Sequence, residues 1–180
     1  SMRGSSTWRA DGAAQPSNPG GEPEAGPDRL ARYLAEHGVD AEILFPDQPT
    51  PTVPLAAEAL GVPPDQIVKS LLFQGKDGDC VLAIVRGTAR VSRARLAAVT
   101  GLRQPKLAPP QVVRDLTGYE PGGTPPVGHL TPVPVVVDRA VLDEAVVFGG
   151  GGSDRTMLRI RPHDIVRLTR AVVADLCDEM

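Results

Sequence analysis

One lysine lies inside an apolar segment, where a charged side chain is uncommon. Lys69 interrupts the run Ile67–Phe73, and a side-chain period of two places it on the same strand face as Leu71. A lysine near a strand end ordinarily covers apolar surface with its stem and keeps its ammonium in water. The alternative is a partly desolvated cation that binds an anion or donates hydrogen bonds inside a pocket. The strand alone favours the first interpretation.

A segment rich in glycine and proline is the second candidate. Seven of the twelve residues from Gly118 to His129 are Gly or Pro. Glycine permits positive φ and close backbone approach, whereas proline fixes φ and removes an N–H donor. This mixture predicts a rigid loop at the rim of a site, with an ordinary surface loop as the alternative. His129 ends the loop and could approach a substrate, although its position alone favours an exposed loop histidine.

Four consecutive glycines, Gly149–Gly152, connect two apolar segments. Their backbone amides could hold a phosphate or a developing oxyanion, and a simple hairpin connection is the alternative. The run is neither a Walker loop nor a dinucleotide fingerprint, because the residues that must follow are missing. The HExxH and GxSxG patterns are also absent, and the three histidines are scattered. The sequence therefore predicts no metal site, no cofactor and no classical catalytic triad.

The elements that must position these residues are short. Leu30, Tyr33 and Leu34 recur at helical spacing and predict a first helix from Asp28. Thr52 is placed to cap a second helix, whose predicted buried stripe is Leu55, Ala56, Ala59 and Leu60. Two further helices are predicted after Ser92 and over Pro110–Thr117, and a last helix or turn opens at Arg161–Asp164. The predicted strands are Val39–Phe45, Ile67–Phe73, Cys80–Val85, Val133–Val137, Ala145–Phe148 and Met157–Ile160. Hairpins dominate, so we expect an α+β fold with a mixed, mainly antiparallel curved sheet flanked by short helices.

Composition limits the domain count and the class of partner. Residues 1–27 are about half Gly, Pro and Ser and predict a disordered arm, which leaves residues 28–180 as one domain. A net charge of −3 argues against a protein that coats nucleic acid, DNA included, through a broad basic face, so any nucleic-acid contact should be local. No apolar run reaches the length of a membrane span. The two cysteines form no CxxC pair, and a reducing cytoplasm is expected.

Taken in order, these features resemble the YbaK/ProX family of aminoacyl-tRNA deacylases, which is similar to the editing domain of bacterial prolyl-tRNA synthetases. The similarity runs from about residue 28 to the C-terminus. The residues that carry it are Thr52, Ala56–Ala57, Asp65–Leu71, Gly118–Tyr119, Gly122–Gly123, Pro125–Gly128, Val135–Asp138 and the Gly149 loop. The resemblance implies the barrel-like fold of that family.

The resemblance also implies an activity, which is hydrolysis of the ester of a mischarged tRNA that carries a small amino acid. Lys69 would anchor the tRNA 3′ end or orient the ester, and the attacking group would be water or a group of the substrate. The residues implied to frame the substrate are Thr52, Ser70, Gly122, Gly123, Thr124, Pro126, Gly128, His129, Gly149 and Gly150. A prolyl-tRNA synthetase or another synthetase is the candidate protein partner. Two alternatives stay open: a non-catalytic module that binds an aminoacyl-tRNA or nucleotide end, and a hydrolase of other small acyl esters.

Overall fold

A computed structural model describes residues 24–179 of the chain. Helix α1 spans Gly26–Glu36, so it begins two residues before the predicted start at Asp28. Leu30 and Leu34 are its buried residues, at the predicted helical spacing. The predicted disorder of residues 1–27 falls mostly outside the described residues and stays a prediction.

The remaining elements are short. After α1 the helices are α2 (Val53–Leu60), α3 (Arg93–Thr100), α4 (Pro110–Thr117) and α5 (Pro162–Thr169). The strands are β1 (Glu42–Leu44), β2 (Val68–Gln74), β3 (Cys80–Arg86), β4 (Lys106–Leu107), β5 (Val135–Asp138), β6 (Val147–Gly150), β7 (Met157–Ile160) and β8 (Val172–Ala174). Turns of 3-10 helix lie at Pro64–Gln66, Pro121–Gly123 and Arg139–Asp143.

The strands form two sheets. One has the order β1-β7-β6 and is antiparallel, and the other has the order β4-β2-β3-β5-β8. In the larger sheet β5 runs parallel to both β3 and β8, while the other pairs are antiparallel. An isolated bridge between Ile67 and Phe148 joins the two sheets just before β2. The predicted mixed, mainly antiparallel α+β fold is confirmed, whereas closure into a barrel stays a prediction.

Two local predictions differ from the structure. The strand predicted over Val39–Phe45 contracts to β1, because only three of its residues pair with β7, and Phe45 is 71% exposed. In α2 the buried residues are Ala56 and Ala57, and Leu55, which was predicted to be buried, is 42% exposed. Helical periodicity identifies a stripe of apolar residues, but the neighbouring elements decide which side of that stripe is covered.

The alternation of side chains along β2 determines which face of the larger sheet carries Lys69. Val68 and Leu72 point into the main core, and Phe73, with Leu71 packed beside it, belongs to a second apolar cluster on the opposite face. Lys69 shares this second face, as the period of two predicts. Its Cα pairs with that of Val85 on β3, so the lysine stands on a central part of the larger sheet.

Candidate active site

A cavity of about 310 Å³ lies beside the first residues of β2. It brings together six of the eleven predicted site residues. These six are Lys69, Thr52, Ser70, Gly122, Thr124 and Gly150. They come from β2, the start of α2, the Gly/Pro loop and the end of β6, so distant segments converge on one hollow.

Local hydrogen bonds hold the polar residues of this cavity in place. Thr52 caps α2 as predicted, because its hydroxyl accepts a hydrogen bond from the amide of Leu55 at 3.3 Å. The hydroxyl of Thr124 donates to the carbonyl oxygen of Glu120 at 3.0 Å, within the 3-10 turn of the Gly/Pro loop. These contacts fix the side chains that face the hollow before any ligand binds.

The two glycine-rich segments are in direct backbone contact. The amide of Gly152 donates to the carbonyl oxygen of Gly123 at 2.9 Å, and a Cβ on Gly123 would lie 2.8 Å from backbone atoms of Ser153. A Cβ on Gly150 would overlap the carbonyl oxygen of Thr124. Glycine is required here because any side chain would separate the two walls of the cavity.

Part of the glycine run is already occupied by internal hydrogen bonds. The amide of Gly151 donates to the carbonyl oxygen of Thr156 at 3.1 Å, and that of Gly152 donates to Gly123. Neither N–H is therefore free to bind an oxyanion. The run brings Gly150 to the cavity by close packing.

Lys69 is a half-buried cation that has no counterion among the described residues. Burial lowers its pKa, and the nearby Arg90 lowers it further. Burial raises the pKa of the Cys177 thiol to about 12, so this neighbour is uncharged near neutral pH and does not balance the ammonium. Within residues 24–179, Lys69 forms no ion pair with a carboxylate. A cation in this state favours an anionic or strongly polar ligand.

Two hydroxyls in the cavity wall have no hydrogen-bond partner among the described residues. They belong to Ser70, a predicted site residue, and to Thr50, which was not predicted. Thr50 is only 8% exposed, and its amide donates to the carbonyl oxygen of Asp154 at 3.1 Å. A buried hydroxyl without a partner costs about 1–3 kcal/mol, which a bound ligand can recover. Thr50 stands between two prolines in an unpatterned stretch, so no sequence signal marks it.

The other five predicted residues lie outside this cavity. His129 is half-buried, places a ring nitrogen 2.7 Å from the carbonyl oxygen of Pro125, and lines a separate hollow of about 270 Å³. Burial lowers the pKa of this histidine. Gly128 lines the same hollow as His129 and packs on the ring of Tyr33, whereas Gly123, Pro126 and Gly149 are not among the lining of the Lys69 cavity, and Pro126 packs on Gly149. Substrate contact by these five residues stays a prediction.

Side chains of the types that bind metal ions in hydrolases do not cluster in the part of the chain that the structure describes. No group of three or more His, Cys, Asp or Glu side chains there is arranged to hold a metal ion.

Residues 47–168 match the model of the aminoacyl-tRNA editing domain, and this range contains the whole lining of the Lys69 cavity. The chain belongs to the aminoacyl-tRNA editing domain family. Its fold agrees, since a solved structure of a proposed trans-editing enzyme for prolyl-tRNA synthetase superposes with a TM-score of 0.80 at 34% identity. That match covers 88% of this chain and 100% of the other. The predicted family and the predicted class, an aminoacyl-tRNA deacylase, are confirmed.

Related sequences include both large and small proteins. Proline–tRNA ligase of Thermotoga neapolitana is 37% identical over 119 residues, which are 63% of this chain but only 20% of the ligase. The chain thus spans about a fifth of this larger relative. YwhH of Bacillus subtilis, an uncharacterized protein, is 29% identical over 129 residues, covering 71% of this chain and 82% of YwhH. In residues 24–179 no helix combines the length and apolar character needed to cross a membrane.

Proposed function

We propose that this editing domain acts in trans, removing a small amino acid from a mischarged tRNA by hydrolysis of its ester. One observation carries the proposal: the ammonium of Lys69, which has no ion-pair partner within residues 24–179, stands in a cavity of about 310 Å³ lined in part by two glycine-rich loops in backbone contact. Action in trans is supported by relatives of similar length, one of which is described as a proposed trans-editing enzyme.

The size of the cavity favours a small aminoacyl group. A volume of about 310 Å³ lies at the low end of ordinary ligand pockets, which range from about 300 to 1,000 Å³. Ala56, Ile67 and Met157 supply apolar wall, and hydroxyls supply most of the polar wall. Editing is needed for such amino acids because binding alone separates side chains that differ by one methylene by only about 1–3 kcal/mol.

Hydrolysis of an aminoacyl ester needs few catalytic groups from the protein, because the ester is already activated. Positioning the ester and stabilising the charge that develops on its carbonyl oxygen can supply most of the acceleration. Lys69 carries the positive charge for this purpose, or for holding the tRNA terminus beside the cavity. The attacking group in this scheme is water, assisted by the terminal ribose hydroxyl, or a nucleophile of the substrate itself.

The partners follow from the reaction. The proposed substrate is the 3′ end of aminoacyl-tRNA, and a synthetase, prolyl-tRNA synthetase among them, is the proposed protein partner. The cytoplasm, where charged tRNA is used, is the proposed location. The net charge of −3 supports a need for a protein partner, because the chain has no excess of cations to hold a whole tRNA.

The test is a deacylation panel with tRNAs that carry Ala, Ser, Thr, Cys or Pro. We expect the wild-type chain to hydrolyse at least one small aminoacyl ester, and we expect Lys69→Ala to lower kcat/KM about 10²–10³-fold. Lys76→Ala is the control, because Lys76 is an exposed lysine in the turn that follows β2. Near-wild-type hydrolysis by Lys69→Ala would contradict the assigned role. Binding of a charged tRNA without hydrolysis would instead support the alternative of a non-catalytic binding module. Hydrolysis of simple esters irrespective of tRNA would support the alternative of a hydrolase of other small acyl esters.

A further inference from the structure

A second hollow adjoins the proposed aminoacyl cavity. Its volume is about 630 Å³, and it lies on the side of β2 that faces the segment after β3. Lys69 and Leu71 line both hollows, so the two meet at the lysine. We call the larger one the arginine groove, after Arg90 and Arg93 in its lining.

The arginine groove is positively charged in a chain whose net charge is −3. Of the residues that the structure describes, three cations line it, Lys69, Arg90 and Arg93, and no carboxylate does. Among the described residues neither arginine forms an ion pair, whereas the neighbouring Arg86 pairs with Glu144 at 2.7 Å and Arg95 pairs with Glu179 at 3.8 Å. Because Arg90 and Arg93 have no carboxylate partner among these residues, their guanidinium groups are available to bind a ligand anion.

Apolar side chains complete the lining of the groove. Leu107 is 55% exposed, although it belongs to β4, and Leu71 and Val91 lie beside the same hollow. A groove that combines cations with apolar surface suits a single-stranded nucleic acid, because phosphates meet the cations and a base packs on the apolar surface. Contact with the exposed side chain of Leu107 would not stabilise the binding of a small inorganic anion.

We infer that the arginine groove holds the single-stranded 3′ end of the tRNA, with Arg90 and Arg93 contacting the phosphates that precede the terminal nucleoside. This inference rests on the proposed function. If the aminoacyl group fills the smaller cavity, the ester bond lies near Lys69, and the nucleotides attached to it must leave by an adjoining space. The arginine groove is such a space and carries the complementary charge. Guanidinium groups bind phosphate through paired N–H donors, which fixes the strand as well as attracting it.

The test compares Arg90→Gln, Arg93→Gln and the double variant with wild type in steady-state deacylation of charged tRNA. We expect KM to rise about tenfold in the double variant, while kcat stays within about twofold, because phosphate contacts position the substrate away from the reacting bond. The dependence of log KM on log salt should weaken by about 0.7 for each phosphate contact that is lost. Arg139→Gln is the matched control, because Arg139 is an exposed arginine outside the groove that pairs with Asp175 at 3.3 Å.

A substrate without phosphates separates the groove from the catalytic site. With a 3′-aminoacyl ester of adenosine, wild type and double variant should react equally. The inference is overturned if the variants hydrolyse charged tRNA with an unchanged KM. It is also overturned if their kcat/KM falls as much with the adenosine ester as with charged tRNA. If the wild-type chain deacylates nothing, the proposed function fails. The groove is then still tested by fluorescence anisotropy with an oligoribonucleotide ending in CCA, whose binding the double variant should weaken and whose equal binding would refute the groove.

Discussion

The hydroxyl of Tyr119 donates a hydrogen bond to the carbonyl oxygen of Gly128, 2.8 Å away, and so joins the two ends of the Gly/Pro loop. Tyr119 is 2% exposed, and burial raises its pKa, so the phenol keeps its proton and remains a donor. Gly128 has φ of 79°, a conformation that favours glycine. The loop that carries Gly122 and Thr124 into the cavity is therefore closed by this side chain together with backbone hydrogen bonds at its base, where the amide of Leu130 donates to the carbonyl oxygen of Thr117 at 2.8 Å.

Removing this hydroxyl should loosen the loop. We expect Tyr119→Phe to lower the free energy of unfolding by about 1 kcal/mol, because the Gly128 carbonyl loses its partner while the ring stays in place. Chemical denaturation measures this change, and deacylation of charged tRNA should slow in parallel. Tyr33→Phe is the control, since within residues 24–179 the Tyr33 hydroxyl makes no hydrogen bond, and its ring stacks on His37. Equal effects of the two variants would contradict a closing role for Tyr119.

A methyl group at Gly150 should force the walls of the cavity apart. Its Cβ would overlap the carbonyl oxygen of Thr124, so we expect Gly150→Ala to cost about 1–3 kcal/mol of stability and to reduce deacylation. Gly122→Ala is a matched stability control within the same cavity, because no atom of the described residues, apart from its chain neighbours, lies within 4 Å of the added Cβ. That variant should stay within about 0.5 kcal/mol of wild type. Thermal and urea unfolding would reveal the contrast in stability, and similar losses of stability in both variants would refute it.

Thr50 offers a test in which stability and activity move in opposite directions. Its buried hydroxyl has no partner among the described residues, so Thr50→Val should leave the free energy of unfolding unchanged or raise it by up to about 1 kcal/mol. If the hydroxyl binds the substrate, kcat/KM should fall about tenfold, which corresponds to about 1.4 kcal/mol. Thr117→Val is the stability control, because the Thr117 hydroxyl donates to the carbonyl oxygen of Val113 at 2.7 Å, and its loss should be destabilising. Unchanged kcat/KM in Thr50→Val would remove this residue from the site.

The pH profile should report the charge of Lys69. Burial lowers its pKa from the ordinary lysine value of 10.5, so the ammonium deprotonates at a lower pH in the folded chain than in the unfolded one. Activity that needs the cation should therefore decline as the pH rises through the lowered pKa. The same shift makes the charged lysine a cost to folding below that pKa, and the cost disappears as the pH rises above the unfolded value.

Rates corrected for spontaneous ester hydrolysis would measure this alkaline decline. Lys69→Arg is the informative variant, because a guanidinium stays charged throughout the range. Any activity that it retains should lack the decline. A profile identical to that of wild type would assign the alkaline limb to another group.

Local chemistry was sufficient to predict many of the elements. Pro110–Thr117 and Met157–Ile160 have the predicted bounds, and Thr52 and Ser92 cap their helices through their own hydroxyls. These features depend on a residue and its near neighbours along the chain, which is why they can be predicted without the fold. Strands β4 and β8 were not predicted, because at two and three residues they are defined only by their pairing partners.

The candidate site likewise has features that could be predicted from the sequence and features that only the structure shows. The order of Lys69, the Gly/Pro loop and the glycine run was enough to indicate the family, since residue types at fixed positions carry that information. Only the tertiary structure shows that Thr50 faces the same cavity, that His129 lies beside another hollow, and that Arg90 adjoins Lys69. Such proximities arise from sheet pairing and loop contacts between residues far apart in the chain. The sequence by itself determined the elements and the chemistry available, and the packing of those elements decided which residues share a site.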